Sequence, residues 1–160
     1  MSAILSPDLK YRYVLTRQIP QAVRWVKPCL FVMLNPSKAT AELDDPTIRR
    51  CLGFAKREVC TSLTVVNLFA LRSTDPKALL KAEDPVGIEN DHHIQEQVLK
   101  HSTGWIIAAW GAHPMAIKRA QHVIPMLGDV HCLGTTKNGS PRHPLYVRSD
   151  QPFVKYKGAV

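Results

Sequence analysis

Apolar residues form two kinds of pattern along the chain: short continuous runs and runs with helical spacing. Continuous apolar runs are typical of strands buried on both faces, and they predict strands at 29–34, 62–71, 104–111 and 128–134. The segment 11–17 alternates between apolar and polar residues and predicts one more strand, at an edge of the sheet. The pattern therefore predicts up to five strands.

Segments with helical spacing separate these runs and predict helices at 44–59, 73–82, 86–102 and 113–127. Strands that alternate with helices are typical of α/β proteins with a mostly parallel sheet. We therefore expect a three-layer α/β/α sandwich around a central, mostly parallel sheet of four to five strands. One domain would span residues 1–160, with a core at about 11–146 and an irregular C-terminal tail at 147–160.

Composition is that of an ordinary globular protein, with 45% hydrophobic and 21% charged residues in a chain of 160. No apolar run reaches the roughly 18 residues needed to cross a bilayer, and the first residues lack the pattern of a secretion signal. The cysteines are far apart in the sequence, at Cys29, Cys51, Cys60 and Cys132. This spacing indicates reduced thiols in a cytoplasmic protein, without a zinc site, another metal or a cofactor.

Charge narrows the classes of partner. Lysine and arginine total 21 against 13 acidic residues, which gives a net charge of +8 and an isoelectric point near 9.5. From residue 113 onward seven basic residues face two acidic ones. A basic face suits nucleic acid or nucleotides, although a merely solvated basic surface explains the count equally well. No membrane or obligate protein partner is expected.

Polar residues stand where the predicted strands end. Asn35 follows the strand at 29–34, Asn67 lies inside the apolar run 62–71, and Trp110 and Gly111 end the strand at 104–111. In α/β sheets, ligands bind beyond the carboxyl ends of the strands. An asparagine amide donates and accepts side by side, which matches the edge of a nucleobase. A single asparagine would more simply bond its own turn, but two at adjacent strand ends favour a ligand.

Further candidates surround these strand ends. Pro36 fixes a turn behind which Ser37 and Lys38 offer a seat for an anion. His143 lies in a stiff loop between two prolines, where a histidine can act as an electrophile or proton donor. Asp44 and Asp45 are interpreted as helix caps rather than an acid–base pair. The remaining candidates for substrate binding or support are Phe69, Arg142, Leu145, Thr47, Arg49, Arg72 and His113.

Four motifs occur in a suggestive order over residues 29–146: "MLNPS", "TVVNLFALRSTDP", "IIAAWGAHPMA" and "SPRHPLY". Their order resembles the uracil-DNA glycosylase superfamily, and that resemblance implies its fold. By the same resemblance, Asn35 matches the residue that positions water, Asn67 the residue that reads the base, and His143 the residue that stabilises the leaving group. Leu145 matches a wedge residue.

A closer resemblance joins the string "LNPSKA", the following "DDPT" and "VVNLFALRSTDP". Together they are similar to the domain of unknown function family numbered sixteen forty-three, found in bacteria and phage. Two positions depart from the glycosylase pattern: Met33 replaces a glycine, and "HPLY" lacks the serine that follows His-Pro. Asn35 is also an amide, so it can orient water but cannot accept a proton.

Three functions stay open on the sequence. The first is a nucleobase-directed enzyme that hydrolyses an N-glycosidic bond in DNA or in a modified nucleotide, with DNA favoured over RNA. The second is a non-catalytic protein on the same fold that binds nucleotides or nucleic acid, in phage or DNA-modification biology. The third, an interaction protein with a purely structural sheet, leaves the polar strand ends unexplained.

Overall fold

The computed structural model describes residues 1–158. Its strands are β1 (Ser2–Leu5), β2 (Arg12–Gln18), β3 (Pro28–Met33), β4 (Ser62–Asn67), β5 (Trp105–Ala108), β6 (His131–Cys132) and β7 (Val154–Lys155). Its helices are α1 (Pro46–Arg57), α2 (Ala78–Lys81), α3 (Asn90–Lys100) and α4 (Pro114–Leu127), and a 3₁₀ turn covers Pro144–Tyr146.

All seven strands belong to one sheet in the order β1-β2-β4-β3-β5-β6-β7. The four strands β4-β3-β5-β6 run parallel to one another, whereas β1, β2 and β7 pair antiparallel with their neighbours. The chain is therefore an α/β protein with a mixed sheet. The expected parallel unit is present, but the expected total of four to five strands was too low and the sheet is less uniformly parallel than predicted.

The two strands absent from the prediction are short and lie near the termini. β1 pairs with β2, so β2 is not the edge strand that its alternation suggested. β7 has two exposed residues and pairs with β6 inside the segment predicted to be an irregular tail. Segments this short carry no readable periodicity, and only pairing defines them. The last two residues of that predicted tail, 159–160, lie outside the described chain.

Several predicted elements are shorter in the structure than in the pattern. The segment 73–82 contains only the four-residue helix α2, because Ser73 and Asp75 first form a turn in which the Asp75 carboxylate accepts from the Lys77 N–H at 2.9 Å. The run 128–134 contains the two-residue strand β6. Within the run 62–71 the strand ends at Asn67, so this asparagine lies at a strand end.

Two apolar cores lie on opposite faces of the sheet because alternate residues of each strand point to opposite sides. On one face, Phe31 and Val65 pack against Ile48 and Phe54 of α1. On the other face, alternate residues of the same strands pack against residues of α2, α3 and α4. Helices therefore cover both faces of the sheet.

Two further properties bear on the class of protein. Within residues 1–158, every helix is too short or too polar to span a lipid bilayer. All four cysteines are buried and free, and the described chain contains no disulfide.

Candidate functional site

A cavity of about 450 Å³ opens where β3, β4 and β5 end. The loop that follows β6 and the start of α1 complete its wall. The residues predicted from the sequence that line it are Asn35, Ser37, Asn67, Trp110, Gly111, His143 and Leu145, with the secondary candidates Asp45, Thr47 and His113. The topology therefore brings ten of the predicted residues into one space.

The pairing of the strands explains this convergence. Met33 at the end of β3 lies beside Asn67 at the end of β4 in the parallel register. Gly111, just beyond β5, donates its N–H to the carbonyl of Pro141 at 2.9 Å and so holds the His143 loop against the sheet. A Cβ atom on Gly111 would lie 3.5 Å from the Cβ of His143, so the two loops are in close contact.

Asn67 lies on the cavity wall with an unused donor. Val65 and Met33 both belong to the core on the α1 face, so the alternation of β4 turns Asn67 toward the same face. Its residue is only 1% exposed, and its Nδ2 finds no hydrogen-bond partner among residues 1–158. A buried amide donor without an acceptor costs about 1–3 kcal/mol, and a ligand that supplies an acceptor removes this cost.

Asn35 uses its amide differently. Its Nδ2 donates to the carbonyls of Pro36 at 3.2 Å, Ser73 at 3.1 Å and Leu71 at 3.5 Å. These bonds tie the loop after β3 to the loop after β4. Because the amide hydrogens are directed at the protein, Oδ1 is the atom with which Asn35 can accept a hydrogen bond from a water or a ligand.

His143 is held as a neutral ring with a defined tautomer. Its Nδ1 accepts a hydrogen bond from the backbone N–H of Leu145 at 3.2 Å, so the ring proton lies on Nε2. Burial lowers the pKa of His143 below its ordinary value, and the negative charge of Asp45 opposes part of that shift. The Nε2–H of a neutral imidazole is thus available as a hydrogen-bond donor at neutral pH.

Arginines of α1 hold the chain that follows His143. The guanidinium of Arg50 donates to the carbonyls of Pro144, at 3.2 Å, and Val147. Arg57, two turns later, donates to the carbonyl of Ser149 at 2.8 Å. The loop that carries His143 is therefore fixed from the sheet side by Gly111 and from the helix side by α1.

A second His-Pro pair repeats the arrangement of the first. His113 precedes Pro114 at the start of α4, and its Nδ1 accepts from the backbone N–H of Met115 at 3.3 Å. The neutral form of His113 therefore also carries its proton on Nε2. Since both histidines line the cavity, the site contains two imidazole donors rather than the one that the sequence singled out as catalytic.

The two aspartates before α1 have separate structural roles. Asp45 is the N-cap: its side chain accepts from the N–H of Ile48 at 2.9 Å and from the N–H of Ala39 at 3.3 Å. Asp44 instead forms an ion pair with the buried Arg17 at 2.8 Å and does not line the cavity. The interpretation as a helix cap therefore holds for Asp45 alone.

The other predicted residues that do not line the cavity are Pro36, Lys38, Phe69, Arg49, Arg72 and Arg142. Phe69 is buried in the core on the opposite face of the sheet. Lys38 is exposed, so the expected anion seat retains only Ser37 at the cavity.

Three of these outlying residues are arginines that bond backbone carbonyls. Arg49 donates to Asp44 at 2.6 Å, and Arg72 to Leu9 at 3.1 Å. Arg142 donates to the carbonyl of Thr135 at 3.1 Å. These arginines stabilise loops around the site.

Arg12 lines the cavity and was missed by sequence reasoning. It is 3% exposed, and its Nη1 donates to the carbonyl of Ala39 at 2.5 Å. Its Nε has no hydrogen-bond partner in the described chain. Desolvation lowers the pKa of Arg12 to about 10, and Asp45 opposes that shift.

With this geometry established, a comparison with protein families gives one match. The family described as Protein of unknown function (DUF1643) matches residues 12–145. The chain belongs to this family. Neither the curated proteins nor the solved structures contain a significant match.

The DUF1643 match covers every residue of the cavity wall except Tyr146. It begins at Arg12, the first residue of the cavity wall, and ends at Leu145, one residue before Tyr146, which is the last. The two short strands β1 and β7 lie outside the matched range. The family is therefore defined over the parallel strands, the helices and the loops that form the cavity.

The chemistry available to this DUF1643 protein is that of hydrogen bonding by uncharged and cationic donors. Amide, imidazole and guanidinium donors surround the cavity, while the carboxylate of Asp45 is already bonded to two backbone N–H groups. No group of three or more His, Cys, Asp or Glu side chains within residues 1–158 is placed to hold a metal ion. The arrangement suits recognition of a ligand rich in oxygen acceptors.

Proposed function

We propose that this protein is nucleobase-directed, of the uracil-DNA-glycosylase-like type, and that it hydrolyses an N-glycosidic bond in DNA or in a modified nucleotide. The observation that carries the proposal is the unpartnered amide of Asn67 in a cavity that Asn35 and His143 also line. A cavity of about 450 Å³ lies within the range typical of small-ligand sites, roughly 300–1,000 Å³.

Asn67 would read the base. A buried amide that lacks an acceptor in the protein gains most from a ligand carbonyl, and it rejects a ligand without one because its donor then stays unpaired. The exposed ring of Tyr146 gives the cavity wall aromatic surface. Aromatic rings favour flat heterocycles by stacking.

Asn35 and His143 would act on the glycosidic bond. Oδ1 of Asn35 orients a water whose oxygen bonds to C1′ of the sugar while the bond from C1′ to the base nitrogen breaks. The bonding electrons leave with the base, and the Nε2–H of His143 stabilises the negative charge that develops on it. The proton lost by the water finally resides on the released base, since Asn35 cannot accept it.

The uracil-DNA-glycosylase-like fold belongs to the same proposal. Its support is the four-stranded parallel unit, with helices on both faces and the quoted motifs at the strand ends. A cytoplasmic location is proposed because all four cysteines are free thiols. We propose DNA rather than RNA as the polymer, and neither a cofactor nor an obligate protein partner for the reaction.

A non-catalytic nucleotide- or nucleic-acid-binding protein is the second candidate. Two observations favour it: Met33 lies in the cavity wall where the related enzymes have glycine, and the amide hydrogens of Asn35 serve the loops. In this case Asn67 and the histidines would bind the base without any bond being broken.

Release of a free base decides between the two candidates. The protein is incubated with DNA that contains uracil, hypoxanthine or hypermodified pyrimidines, and with the corresponding nucleotides; abasic sites are then detected by alkali cleavage and free bases by chromatography. We expect base release from at least one substrate, and a loss of about a hundredfold or more in Asn35→Ala and in His143→Ala. The exposed His92 supplies the control variant, His92→Ala, which should keep full activity.

Two results would contradict the enzyme proposal or its site. Salt-sensitive binding without base release from any substrate would leave the binding protein and remove the enzyme. Base release that survives both substitutions would mean that the reaction uses another site.

A further inference from the structure

Arg12 is a buried cation that forms no ion pair with the residues that the structure describes. Its guanidinium lies in the cavity wall, makes one bond to the Ala39 carbonyl, and leaves Nε without a partner within residues 1–158. Arg12 takes part in none of the ion pairs of the described chain. A charge buried in this way is costly unless an anion pairs with it, and no carboxylate within residues 1–158 forms an ion pair with Arg12.

Asp45, the carboxylate nearest in the cavity wall, does not fill this role. Its two oxygens accept the backbone N–H groups of Ile48 and Ala39, and it is not within the 4.0 Å that defines an ion pair with Arg12. Arg12 and Asp45 instead hold the same residue, since one bonds the carbonyl of Ala39 and the other its N–H. The carbonyl of Ala39 therefore orients the guanidinium, while the Nε–H has no acceptor among the described residues.

Several other polar groups of the wall add donors beside the acceptor Oδ1 of Asn35. Nδ2 of Asn67 is unpartnered among the described residues, and His113 and His143 each direct Nδ1 at a backbone N–H, which leaves the Nε2–H as the free polar group of the neutral ring. A ligand that satisfies these groups must carry several oxygen acceptors. A phosphate provides three and suits the planar fork of an arginine.

We propose that Arg12 binds the phosphate of the ligand, and that the ligand is a free nucleotide whose phosphate enters the cavity together with its base. This inference rests on the proposed nucleobase recognition and narrows its substrate class. Because Arg12 is 3% exposed, a phosphodiester within a continuous strand, which runs over the protein surface, does not reach it. A monophosphate that enters whole can do so.

The test is a comparison of affinities by isothermal titration calorimetry at low salt. The probes are deoxynucleosides, their 5′-monophosphates, inorganic phosphate and single-stranded oligonucleotides, with uracil, hypoxanthine and the four standard bases. We expect the preferred monophosphate to bind the wild-type protein about ten- to a hundredfold more tightly than its nucleoside, as a charged hydrogen-bonded pair contributes on this scale. This comparison needs no variant and is decisive even where a variant fails to fold.

Variants then test whether Arg12 causes the difference in affinity between the monophosphate and the nucleoside. Arg12→Gln should remove the advantage of the monophosphate over the nucleoside, and Arg12→Lys should restore only part of it, because lysine keeps the charge but loses the fork. Arg24→Gln is the matched control: Arg24 is exposed in the loop before β3, at the end of that strand away from the cavity, and its variant should bind like the wild type.

The outcomes separate this inference from the proposed function. Equal affinity for nucleoside and monophosphate in the wild type would overturn the role of Arg12 and leave base recognition intact. Binding of oligonucleotides without binding of monophosphates would overturn the assignment to a free nucleotide. Arg12-dependent binding of inorganic phosphate, with no preference for any base and no effect of Asn67→Ala, would overturn the nucleobase proposal while retaining the anion site.

Discussion

The two ends of β2 each carry a buried arginine, and the two side chains differ in how completely the protein bonds them. Arg17 is 2% exposed; it pairs with Asp44 at 2.8 Å and donates to the carbonyls of Thr16 and Thr40. Arg12 is 3% exposed, yet it bonds a single carbonyl and keeps Nε unpartnered within the described residues. The two arginines are therefore similarly buried but differ in how many of their N–H groups have hydrogen-bond partners.

The same contrast separates the two asparagines at the strand ends. Nδ2 of Asn35 donates to loop carbonyls, whereas Nδ2 of Asn67 has no acceptor inside residues 1–158. Burial does not distinguish the two arginines; Arg12 and Asn67 share an unpartnered buried donor in a residue that lines the cavity. Arg17 and Asn35 bond loop carbonyls, whereas the unpartnered donors of Arg12 and Asn67 belong to residues of the cavity wall.

The largest expected effect is on the arginine pair. Arg17→Gln should lower the free energy of unfolding by about 3 kcal/mol, because it leaves Asp44 without its partner and three carbonyls without a donor. Arg12→Gln should cost only about 1 kcal/mol, since one carbonyl bond is lost while an unpaired buried charge is removed. Urea unfolding followed by circular dichroism measures both values.

Similar costs for the two variants would break the comparison. In that case Arg12 would be a structural residue whose unused donor has no bearing on a ligand, and the proposed anion site would lose its main support.

The asparagine pair comes next. Asn35→Leu should cost about 1–2 kcal/mol, because the carbonyls of Leu71 and Ser73 lose their donor. Asn67→Leu, similar in volume, should change stability by less than about 1 kcal/mol, because its amide donor was already unpaired. Thermal unfolding of the two purified variants checks this, and a larger loss for Asn67→Leu than for Asn35→Leu would reverse the roles assigned here.

Sequence reasoning found the parallel strands and most of the cavity because both follow from simple patterns. Asn35 and Asn67 are polar residues at or near the ends of apolar runs, and parallel strands end at one edge of the sheet. Arg12 has no such signal: in an alternating strand that was assigned to an edge, it is expected to be solvated. Only the antiparallel pairing of β2 with β4 brings its first residue to the carboxyl edge of the parallel strands.

Lys38 shows the opposite case, a residue that the sequence assigned to the site and the structure does not place there. Its position behind Asn35-Pro36 predicted an anion ligand, but the structure leaves this lysine exposed and puts Arg12 in the cavity wall. Sequence neighbours of a strand end share its location in the chain but not the direction of their side chains. The direction is set by the loop from 37 to 45, which is held by long-range bonds to Arg12 and Arg17 of β2.

A glycine pair tests how tightly the His143 loop is held. Gly111 has φ of +78°, a conformation that favours glycine, and contacts the His143 loop. Gly111→Ala should cost about 1 kcal/mol and weaken ligand binding. Gly53, in the middle of α1 with open space around it, is the control: Gly53→Ala should stabilise the protein by about 0.5–1 kcal/mol. Equal effects of the two substitutions would show that the positive φ of Gly111 imposes no cost on another residue.

The smallest expected effect concerns the protonation of His143. Burial lowers its pKa in the folded state, so below the unfolded value of about 6.5 the unfolded chain binds protons more readily than the fold does. Stability should therefore fall as the pH drops below that value, with part of the fall due to His143 and parts due to His101 and His131, whose pKa values burial also lowers.

Comparing unfolding at pH 7.5 and pH 5 isolates the share of His143. His143→Gln should reduce the loss of stability between these two pH values, whereas His92→Gln, at an exposed position, should leave it unchanged. An unchanged loss in His143→Gln would mean that the imidazole titrates normally in the fold. It would then be partly protonated near pH 6.5, so that the ring would carry a positive charge and Nδ1 would no longer accept from the N–H of Leu145. Ligand affinity measured over the same pH range gives the second reading: it should stay flat down to about pH 6.5 if burial keeps the ring neutral.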